Sequence, residues 1–361
     1  MAERALSRSP VYSAQPTVRI DGRASDKVKA LLNSMRLTES EGGMSSLELH
    51  LGNLARFEGN RVELAFEDES LIRFGAPLSI YAGDETAPQE IFRGLITGLE
   101  ASFEAAAGPE LLVLAEDALQ RARLARRTKV HDNVSIDSLA RELATLLNLR
   151  PVINGFSGRI GTQVQLNESD LAFLRRLLSA HDGDLQVVGE ELHVAPRKDV
   201  RRGTLELALF SQLRRARVTV DLAHQVTEVT VTGWNALAGR RVSGRSSGAN
   251  LGPGSGRRGQ DILRQALGER SEHLGELPAM TDEEARAIAT TAFDQRARRF
   301  VCVEGTTEGN PALRVGSHVT LQGLGRRYDN TYYVVRACHR YDLTHGYETD
   351  FEAECAFLGG P

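Results

Sequence analysis

The sequence has few of the residues that would indicate a disulfide framework, a membrane span or a dedicated nucleic-acid binder. Its only cysteines are Cys302, Cys338 and Cys355, and none forms a CxxC pair, so we expect reduced thiols. No apolar run reaches the roughly 18 residues that a membrane-spanning helix needs, so no span is predicted. The net charge of −4 argues against a nucleic-acid binder, which ordinarily carries a basic excess.

Signatures of catalysis and metal binding are also missing. The sequence contains no HExxH motif, no G-x-S-x-G elbow and no calcium-loop pattern. The remaining candidates for metal or acid–base chemistry are His131-Asp132, His181-Asp182-Gly183-Asp184, and His339 with His345. His181 follows a predicted helix and precedes a turn, so we expect it to cap that helix. We therefore predict no catalytic residue, no cofactor-binding residue, no metal site and no cofactor.

The composition is that of an ordinary soluble protein that can bury a core, with 41% hydrophobic and 25% charged residues. Its 361 residues correspond to about two to three domains. Residues 1–15 lack the apolar segment of a signal peptide, so we expect synthesis and assembly in the cytoplasm, with any export by another route.

Residues 1–128 read as a first β domain. Residues 47–51 alternate apolar and polar side chains, as a half-buried strand requires. Short strands separated by Gly, Asn and Pro turns favour an antiparallel barrel or sandwich.

Residues 129–200 read as a small α+β module. Ser135 can cap a helix running from Ile136 to Leu149, and Asn167 or Ser169 can cap a second one. A hairpin is predicted after the second helix, with turns at Asp182-Gly183 and Gly189-Glu190.

Residues 201–361 read as a second β domain. Its composition predicts a flexible loop over about 236–260, which is rich in Gly, Ser and Arg. Thr281 and Glu284 form a capping box that opens a helix over about 281–300. Farther on, residues 348–357 alternate acidic and mostly apolar side chains, which predicts one face on a core and one facing water or a partner.

The two β regions share a spacing pattern. Gly75-x-x-Leu78-x-Ile80 is followed eleven residues later by Ile91-Phe92, and Gly316-x-x-Val319-x-Leu321 eleven residues later by Tyr332-Tyr333. Two copies of one supersecondary unit would leave such a pattern. Coincidence between two β-meanders would leave it too, and these residues alone do not decide between the explanations.

Three further motifs carry weaker signals. Residues 254–259 match G-x-G-x-x-G, but no strand is predicted before them, so a loop is favoured over a dinucleotide site. The loop arginines could contact phosphates, but the stretch has no interleaved aromatic residue for base stacking: Arg240, Arg241, Arg245, Arg257 and Arg258. The lone tryptophan, Trp234, fits either a core plug or an interface anchor.

The segment QLNESDLAFLRRLLSAHDGDLQV (165–187) resembles the phage late control protein D family, which forms the baseplate hub of contractile tails. It is also similar to the N-terminal part of the valine-glycine repeat spike proteins of type VI secretion. The resemblance continues through LARRTKVHDNVSIDSLARELATLLNL (124–149), VTEVTVTGWN (226–235) and residues 300–342. Spike-fusion members continue into a β-helical needle, whereas this sequence stops at Pro361, so a separate spike polypeptide is expected.

The resemblance implies a mainly β, α+β fold in which two tail-tube-like antiparallel β-barrel domains flank an inserted α+β module. It implies a homotrimer whose six barrels form a pseudo-sixfold ring between a hexameric tail tube and a trimeric spike. Baseplate wedge components would be further partners, and nucleic acid would at most pass through the lumen. The expected role is structural rather than enzymatic, in the baseplate of a virion or an extracellular contractile particle.

Two alternatives remain at the sequence level. A particle-associated cell-wall hydrolase could use the acidic strand face, including Glu352 and Glu354, as paired carboxylates. A nucleic-acid-binding module could use the arginine-rich loop, and its DNA affinity would then fall steeply with salt.

Overall fold

The computed structural model describes residues 15–58, 61–83, 87–104, 107–275 and 279–359. The expectation that the first fifteen residues carry no signal peptide falls, apart from Gln15, outside these ranges. Strands dominate the described residues and helices are fewer, so the predicted mainly β, α+β fold class is confirmed.

The N-terminal region is mainly an antiparallel sheet around one core. Its elements are β1 (Thr17–Ile20), β2 (Arg23–Ala24), α1 (Asp26–Leu31), β3 (Leu32–Ser40), β4 (Ser46–Gly52), β5 (Leu54–Glu58), β6 (Arg61–Leu64), β7 (Pro77–Ala82), β8 (Gln89–Ser102) and β9 (Glu110–Glu116). The alternation predicted for residues 47–51 is confirmed, because Leu47, Leu49 and Leu51 are all buried. Two residues from far along the chain, Tyr341 and Tyr347, join the same core.

The central region is the small α+β module. Its elements are α2 (Gln120–Leu124), β10 (Arg126–His131), α3 (Ile136–Leu147), β11 (Arg150–Ile153), β12 (Gln163–Ser169), α4 (Asp170–Ala180), β13 (Gly183–Val188), β14 (Glu191–Pro196) and a 3₁₀ turn at Arg197–Asp199. The apolar faces of α3 and α4 pack with β13 and β14 into a second core. The module therefore has its own hydrophobic centre.

Local signals in the sequence predicted helices α3 and α4 of the module. The hydroxyl of Ser135 accepts a hydrogen bond from the backbone N–H of Ser138, and Ser169 caps α4 in the same way. Helix α3 ends two residues before the predicted Leu149, because Asn148 adopts a left-handed conformation with φ of 55°. Of the two predicted turns, residues 189–190 do join β13 to β14, whereas residues 182–183 connect α4 to β13.

The C-terminal region has two layers with separate cores. Its elements are β15 (Gly203–Ala208), β16 (Leu213–Val220), β17 (Glu228–Asn235), β18 (Arg240–Ser246), β19 (Arg257–Arg258), α5 (Gly259–Leu267), β20 (Ser271–Leu274), α6 (Asp282–Arg298), β21 (Val301–Glu308), β22 (Ser317–Gln322), β23 (Asn330–Asp342), β24 (Gly346–Cys355) and β25 (Phe357–Leu358). One core lies within the larger sheet. The other lies between α6 and the small sheet β18-β17-β20.

The prediction of a flexible loop over 236–260 is wrong for the whole of β18. This strand pairs with β17 along its whole length, and Val242 within it is fully buried. Gly244 lets α6 approach closely, because a Cβ at this position would lie 2.2 Å from the backbone nitrogen of Arg286. The small residues here thus reflect close packing of a helix on a strand rather than chain flexibility.

The helix predicted over 281–300 is confirmed as α6. The hydroxyl of Thr281 accepts from the Glu284 backbone N–H, and the Glu284 carboxylate accepts from the Thr281 backbone N–H, which is the predicted capping box. The predicted division at 1–128, 129–200 and 201–361 remains a prediction, although the described residues form four separate cores.

Candidate assembly surface

Five strands of the N-terminal region recur as five strands of the C-terminal region with the same neighbours. The first set pairs in the order β3-β4-β9-β8-β7 and the second in the order β16-β21-β24-β23-β22, and every pairing in both sets is antiparallel. The strands also occur in the same order along the chain within each set. Shared pairing order and shared chain order support a duplicated unit over two unrelated meanders.

The first strand of each copy carries a bulge at the same place. In β3–β4 the register shifts between Leu32 and Ser34. In β16–β21 it shifts between Leu213 and Arg215. Bulges are retained at fixed positions within related sheets, so this feature aligns β3 with β16 residue by residue.

The fourth strand of each copy carries a second matching bulge. The β8–β9 register shifts between Ile96 and Gly98, and the β23–β24 register shifts between Val334 and Arg336. This second match aligns β8 with β23 independently of the first. Gly98 is therefore the counterpart of Arg336.

The spacing repeat noted in the sequence corresponds to the β7–β8 and β22–β23 hairpins, but only in part. Ile80 lies opposite Phe92, whereas its counterpart Leu321 lies opposite Asn330 rather than Tyr333. The second hairpin is tighter, so equal spacing in the sequence does not give equal register. The duplication is supported by the strands, while the aromatic residues of the two copies are not equivalent.

Strand β23 joins the two copies into one sheet. Its first residues pair with β22, and its last seven pair with β3, from Arg336 opposite Ser40 to Asp342 opposite Ser34. Within the described residues, this contact makes a 13-stranded sheet that runs from β16 through both copies. The two halves of the protein therefore share backbone hydrogen bonds as well as side-chain packing.

Among the strand edges of this sheet that have no partner within the described residues are one edge of β16 and the last part of one edge of β8. Strand β16 pairs in the sheet only with β21, and β8 beyond Leu95 pairs only with β9. Apolar side chains at these edges are partly exposed: Leu99 by 36%, Phe103 by 66% and Val220 by 37%. Sequence reasoning missed both edges, although alternating arginines in β16 and glutamates near the end of β8 were visible signals.

The acidic row of β24 is ion-paired rather than simply solvated. The carboxylate of Glu352 lies 2.8 Å from Arg336. Glu348, which was predicted to face water or a partner, is buried between the guanidinium groups of Arg214 and Arg340. Alternation in the sequence predicted the two faces of β24 correctly, but these two arginines cover part of the acidic face.

A buried cation connects the module to both copies of the duplicated unit. Arg197, just after β14, forms ion pairs with Glu41, which follows β3, and with Glu354 of β24. Its guanidinium also lies 3.8 Å from the ring centroid of Tyr333. Burial raises the pKa of Glu41; the charge of Arg197 opposes this shift, and the charge of Glu354 adds to it.

A second cation in this region, Arg298, pairs with Asp182, which was one of the candidates for metal or acid–base chemistry. Asp182 accepts hydrogen bonds from Arg298 of α6 at 2.5 and 2.8 Å. The neighbouring His181 caps α4, as predicted, through its backbone N–H to the carbonyl of Leu178. The candidate group at 181–184 therefore ends a helix and holds α6 against the module.

His339 belongs to a buried polar cluster at the junction of β23 and β3. Its Nδ1 lies 2.8 Å from the hydroxyl of Tyr347, and nearby Arg314 donates to Glu39 at 2.7 Å. Burial lowers the pKa of His339 to about 4, against the raising effect of Glu39. The imidazole is therefore neutral at pH 7 and serves as a structural hydrogen-bonding group.

The remaining histidine candidates also have local partners. His131 stacks on Phe173 with a centroid separation of 4.9 Å, and His345 lies 3.1 Å from Asp342 at the surface. Asp132 accepts a hydrogen bond from the hydroxyl of a nearby threonine. Among the described residues, no group of three or more His, Cys, Asp or Glu side chains is arranged to hold a metal ion.

Several of the predicted loop arginines face acidic side chains. The ion pairs are Arg240–Asp282 at 3.0 Å, Arg245–Glu228 at 3.7 Å and Arg258–Asp261 at 2.8 Å. Gly256 in the G-x-G-x-x-G stretch permits close approach to β25, because a Cβ there would lie 2.2 Å from the carbonyl oxygen of Leu358. These contacts favour packing roles for both motifs.

Trp234 lies on β17 with 60% of its surface exposed. The core-plug interpretation is therefore wrong, and an interface role remains open. Among the ranges the structure covers, no helix has both the length and the apolar character needed to cross a bilayer.

The fold is similar to that of several solved phage tail proteins. A 43 kDa tail protein of prophage MuSo2 from Shewanella oneidensis matches 94% of this chain and 97% of its own, with a TM-score of 0.69 and 11% identity. A tail protein from Neisseria meningitidis MC58 matches 94% of this chain and 95% of its own, with a TM-score of 0.64 and 11% identity.

A type VI secretion component is similar as well. The E. coli c3393 protein, described as structurally similar to the T4 bacteriophage tail proteins gp27 and gp5, matches 96% of this chain and 79% of its own, with a TM-score of 0.57 and 10% identity. At these identities the likeness establishes the fold. The resemblance to phage tail and type VI secretion proteins drawn from the sequence is confirmed at that level.

A comparison with curated protein sequences found no match. A family model described as the Alg8 N-terminal domain does match, over residues 53–342. Because that match covers well over half of the 361 residues, the chain belongs to the Alg8 N-terminal domain family.

Proposed function

We propose that this protein is a structural baseplate hub of a contractile phage tail or a tail-like injection system. In this proposal three copies form a ring with pseudo-sixfold symmetry, which adapts a hexameric tail tube to a trimeric spike. The observation that carries it is the duplicated five-stranded unit, with the same pairing order and the same two bulges in each copy.

The duplication supplies the symmetry that such an adaptor requires. Three chains with two similar units each present six quasi-equivalent positions to a sixfold tube. The same three chains present threefold symmetry wherever the two halves differ. Closed cyclic symmetry with head-to-tail contacts is a common geometry for such a ring.

The fold comparisons support a role in a tail. The matched proteins are described as phage tail proteins or as a type VI secretion component. The sequence resemblance narrows this to the late control protein D type of hub. The proposed partners are a trimeric spike, a tail tube ring and baseplate wedge components, with assembly in the cytoplasm before incorporation into the particle.

The ion pairing of the acidic strand supports a structural role over a hydrolase. A glycosidase site needs two carboxyl groups that converge on one substrate. Here Glu352 pairs with Arg336, while Glu354 pairs with the buried Arg197 at the module. Each carboxylate has a partner within the fold.

The test is a mass measurement on the full chain, alone and mixed with the spike and tube proteins of the same particle. We expect a species containing three copies, either alone or once the spike is present. Failure to form any trimer in the presence of both partners would overturn the proposal. So would hydrolysis of peptidoglycan that is lost in Glu352→Gln but kept in the matched surface variant Glu283→Gln.

A further inference from the structure

We propose that the exposed edge of β8 in one copy pairs antiparallel with the exposed edge of β16 in the next copy, and that this pairing closes the ring. The number of copies in the ring is taken from the proposed function, whereas the strand contact is argued from the strand pairing within one chain. The occupant of both edges is a second copy of this chain.

The contact between the two halves of one chain supplies the template. Strand β23 is the counterpart of β8, and β3 is the counterpart of β16. The end of β23 pairs antiparallel with β3 over seven residue pairs. If the two copies of the unit are equivalent, the end of β8 should pair with a counterpart of β3. That counterpart is β16, and its free edge in another chain is available for the contact.

The two bulges fix the expected register. They make Gly98 the counterpart of Arg336, and Arg215 the counterpart of Ser34. Arg336 lies opposite Ser40 within the chain, and the counterpart of Ser40 is Asp221. The transferred register therefore starts with Gly98 opposite Asp221 of the neighbouring copy.

The core-facing side of this register joins apolar residues only. The predicted opposed pairs, with the second residue from the neighbouring copy, are Leu99 with Val220, Ala101 with Val218, and Phe103 with Ala216. Leu99, Phe103 and Val220 are among the large apolar side chains left exposed in the single chain. Pairing would cover them at the junction between the two cores, as Tyr341 and Met35 are covered in the template.

The opposite side of the register is complementary in charge. Glu104 would lie opposite Arg215 of the neighbouring copy, and Ser102 opposite Arg217. Glu100 would lie opposite Thr219, diagonal to Arg217. Opposite charges facing each other across strands stabilise a pair, whereas like charges would destabilise it.

The state of the free edges also favours pairing. An unpaired edge carrying apolar side chains is a site for association with another strand. The two edges lie at separate places on the chain, so their contact is head to tail and can close a ring. Self-pairing of β16 is disfavoured, because it would bring Arg215 and Arg217 against the same arginines of another copy.

Disulfide cross-linking tests the register directly. Ser102→Cys and Arg217→Cys are made as single variants in a Cys302→Ser background, because Cys302 is the exposed native thiol beside β16. The two variants are mixed, assembled with the spike protein and treated with oxidised glutathione. We expect a covalent dimer from the mixture and none from either variant alone. The double variant should give a ladder that ends in a closed trimer.

The matched control combines Ser102→Cys with Asp221→Cys, which is four residues out of register. Four residues span about 13 Å along a strand, so these cysteines are too far apart for a disulfide. Efficient cross-linking of this control, or none from the Ser102/Arg217 mixture, would overturn the proposed pairing.

The mass measurement separates this inference from the proposed function. A trimer without the Ser102–Arg217 cross-link would leave the hub proposal standing and reject the strand contact. A cross-linked dimer that never becomes a trimer with the spike would keep the strand contact and reject the trimeric hub. Charge reversal adds a second arm: Glu104→Arg should reduce oligomer formation, and adding Arg215→Glu should restore it.

Discussion

Removing the buried guanidinium of Arg197 should destabilise the protein strongly. The Arg197→Met variant keeps much of the side-chain volume but leaves the carboxylate of Glu41 without its cation and that of Glu354 with only Arg298, 3.7 Å away. The Arg197 side chain is 6% exposed, and those of its partners are 32% and 11% exposed. Breaking a buried pair typically costs about 3–5 kcal/mol, because the remaining charge is uncompensated. Since Glu41 is one-third exposed, we expect a loss near the lower end, about 3 kcal/mol.

Urea unfolding at pH 7 measures this loss as a shift in the free energy of unfolding. The matched control is Arg336→Met, whose ion pair with Glu352 joins side chains that are 46% and 47% exposed. Exposed pairs contribute about 0.2–1 kcal/mol, so the control should lose less than about 1 kcal/mol. Adding Glu354→Gln to Arg197→Met should recover part of the lost stability, because it removes one of the two carboxylates that have lost their ion pair with Arg197. Similar losses in Arg197→Met and in the control would refute the reasoning.

Three further substitutions test the packing, the titration and the capping. Gly244→Ala should cost about 1–3 kcal/mol in urea unfolding because the new methyl group meets the backbone of α6, whereas Gly108→Ala, which has open space, should cost less. Burial lowers the pKa of His339 from 6.5 to about 4, so stability should fall as the pH drops from 6.5 towards 4, by about 2 kcal/mol at pH 5. Burial raises the pKa of Asp117 to about 6, so protonation of Asp117 stabilises the protein as the pH falls and partly hides the effect of His339. The contribution of His339 is therefore measured by comparing the change in unfolding free energy from pH 7 to pH 5 in the parent protein with the same change in His339→Gln. Thr281→Ala should cost about 1 kcal/mol by removing the cap of α6, and an unchanged urea midpoint would contradict this.

Local signals in the sequence located elements whose determinants are themselves local. Ser135 and Thr281 marked helix starts because a capping hydroxyl and the backbone N–H that donates to it lie within three residues. Alternation over 47–51 marked a strand for the same reason. The burial of Glu348 was not predictable in this way, because its partner Arg214 lies 134 residues away in the sequence.

Composition was misleading where glycine serves packing. The 236–260 stretch looked like a flexible loop, yet Gly244 lies in a paired strand under α6. The repeat was also only partly predictable. The spacing indicated two similar hairpins, but the second hairpin has a shorter connection and therefore a different pairing register. The arginines of β16 and the glutamates near the end of β8 were visible in the sequence, but only the pairing order shows that both strands have a free edge.

The two copies of the five-stranded unit differ in the elements inserted between their strands. This difference predicts how the density of an assembled ring would respond to symmetry averaging. Between its first and second strands, the N-terminal copy has only residues 41–45, whereas the C-terminal copy has β17 to α6. In a ring of three chains the five-stranded units would occur six times and the β17–α6 layer three times. Sixfold averaging of electron cryomicroscopy images of the assembled ring should therefore keep density for the strands and weaken it for β17–α6, while threefold averaging should restore that layer. If sixfold averaging weakened both equally, the two copies could not occupy quasi-equivalent positions, and the adaptor geometry would have to be abandoned.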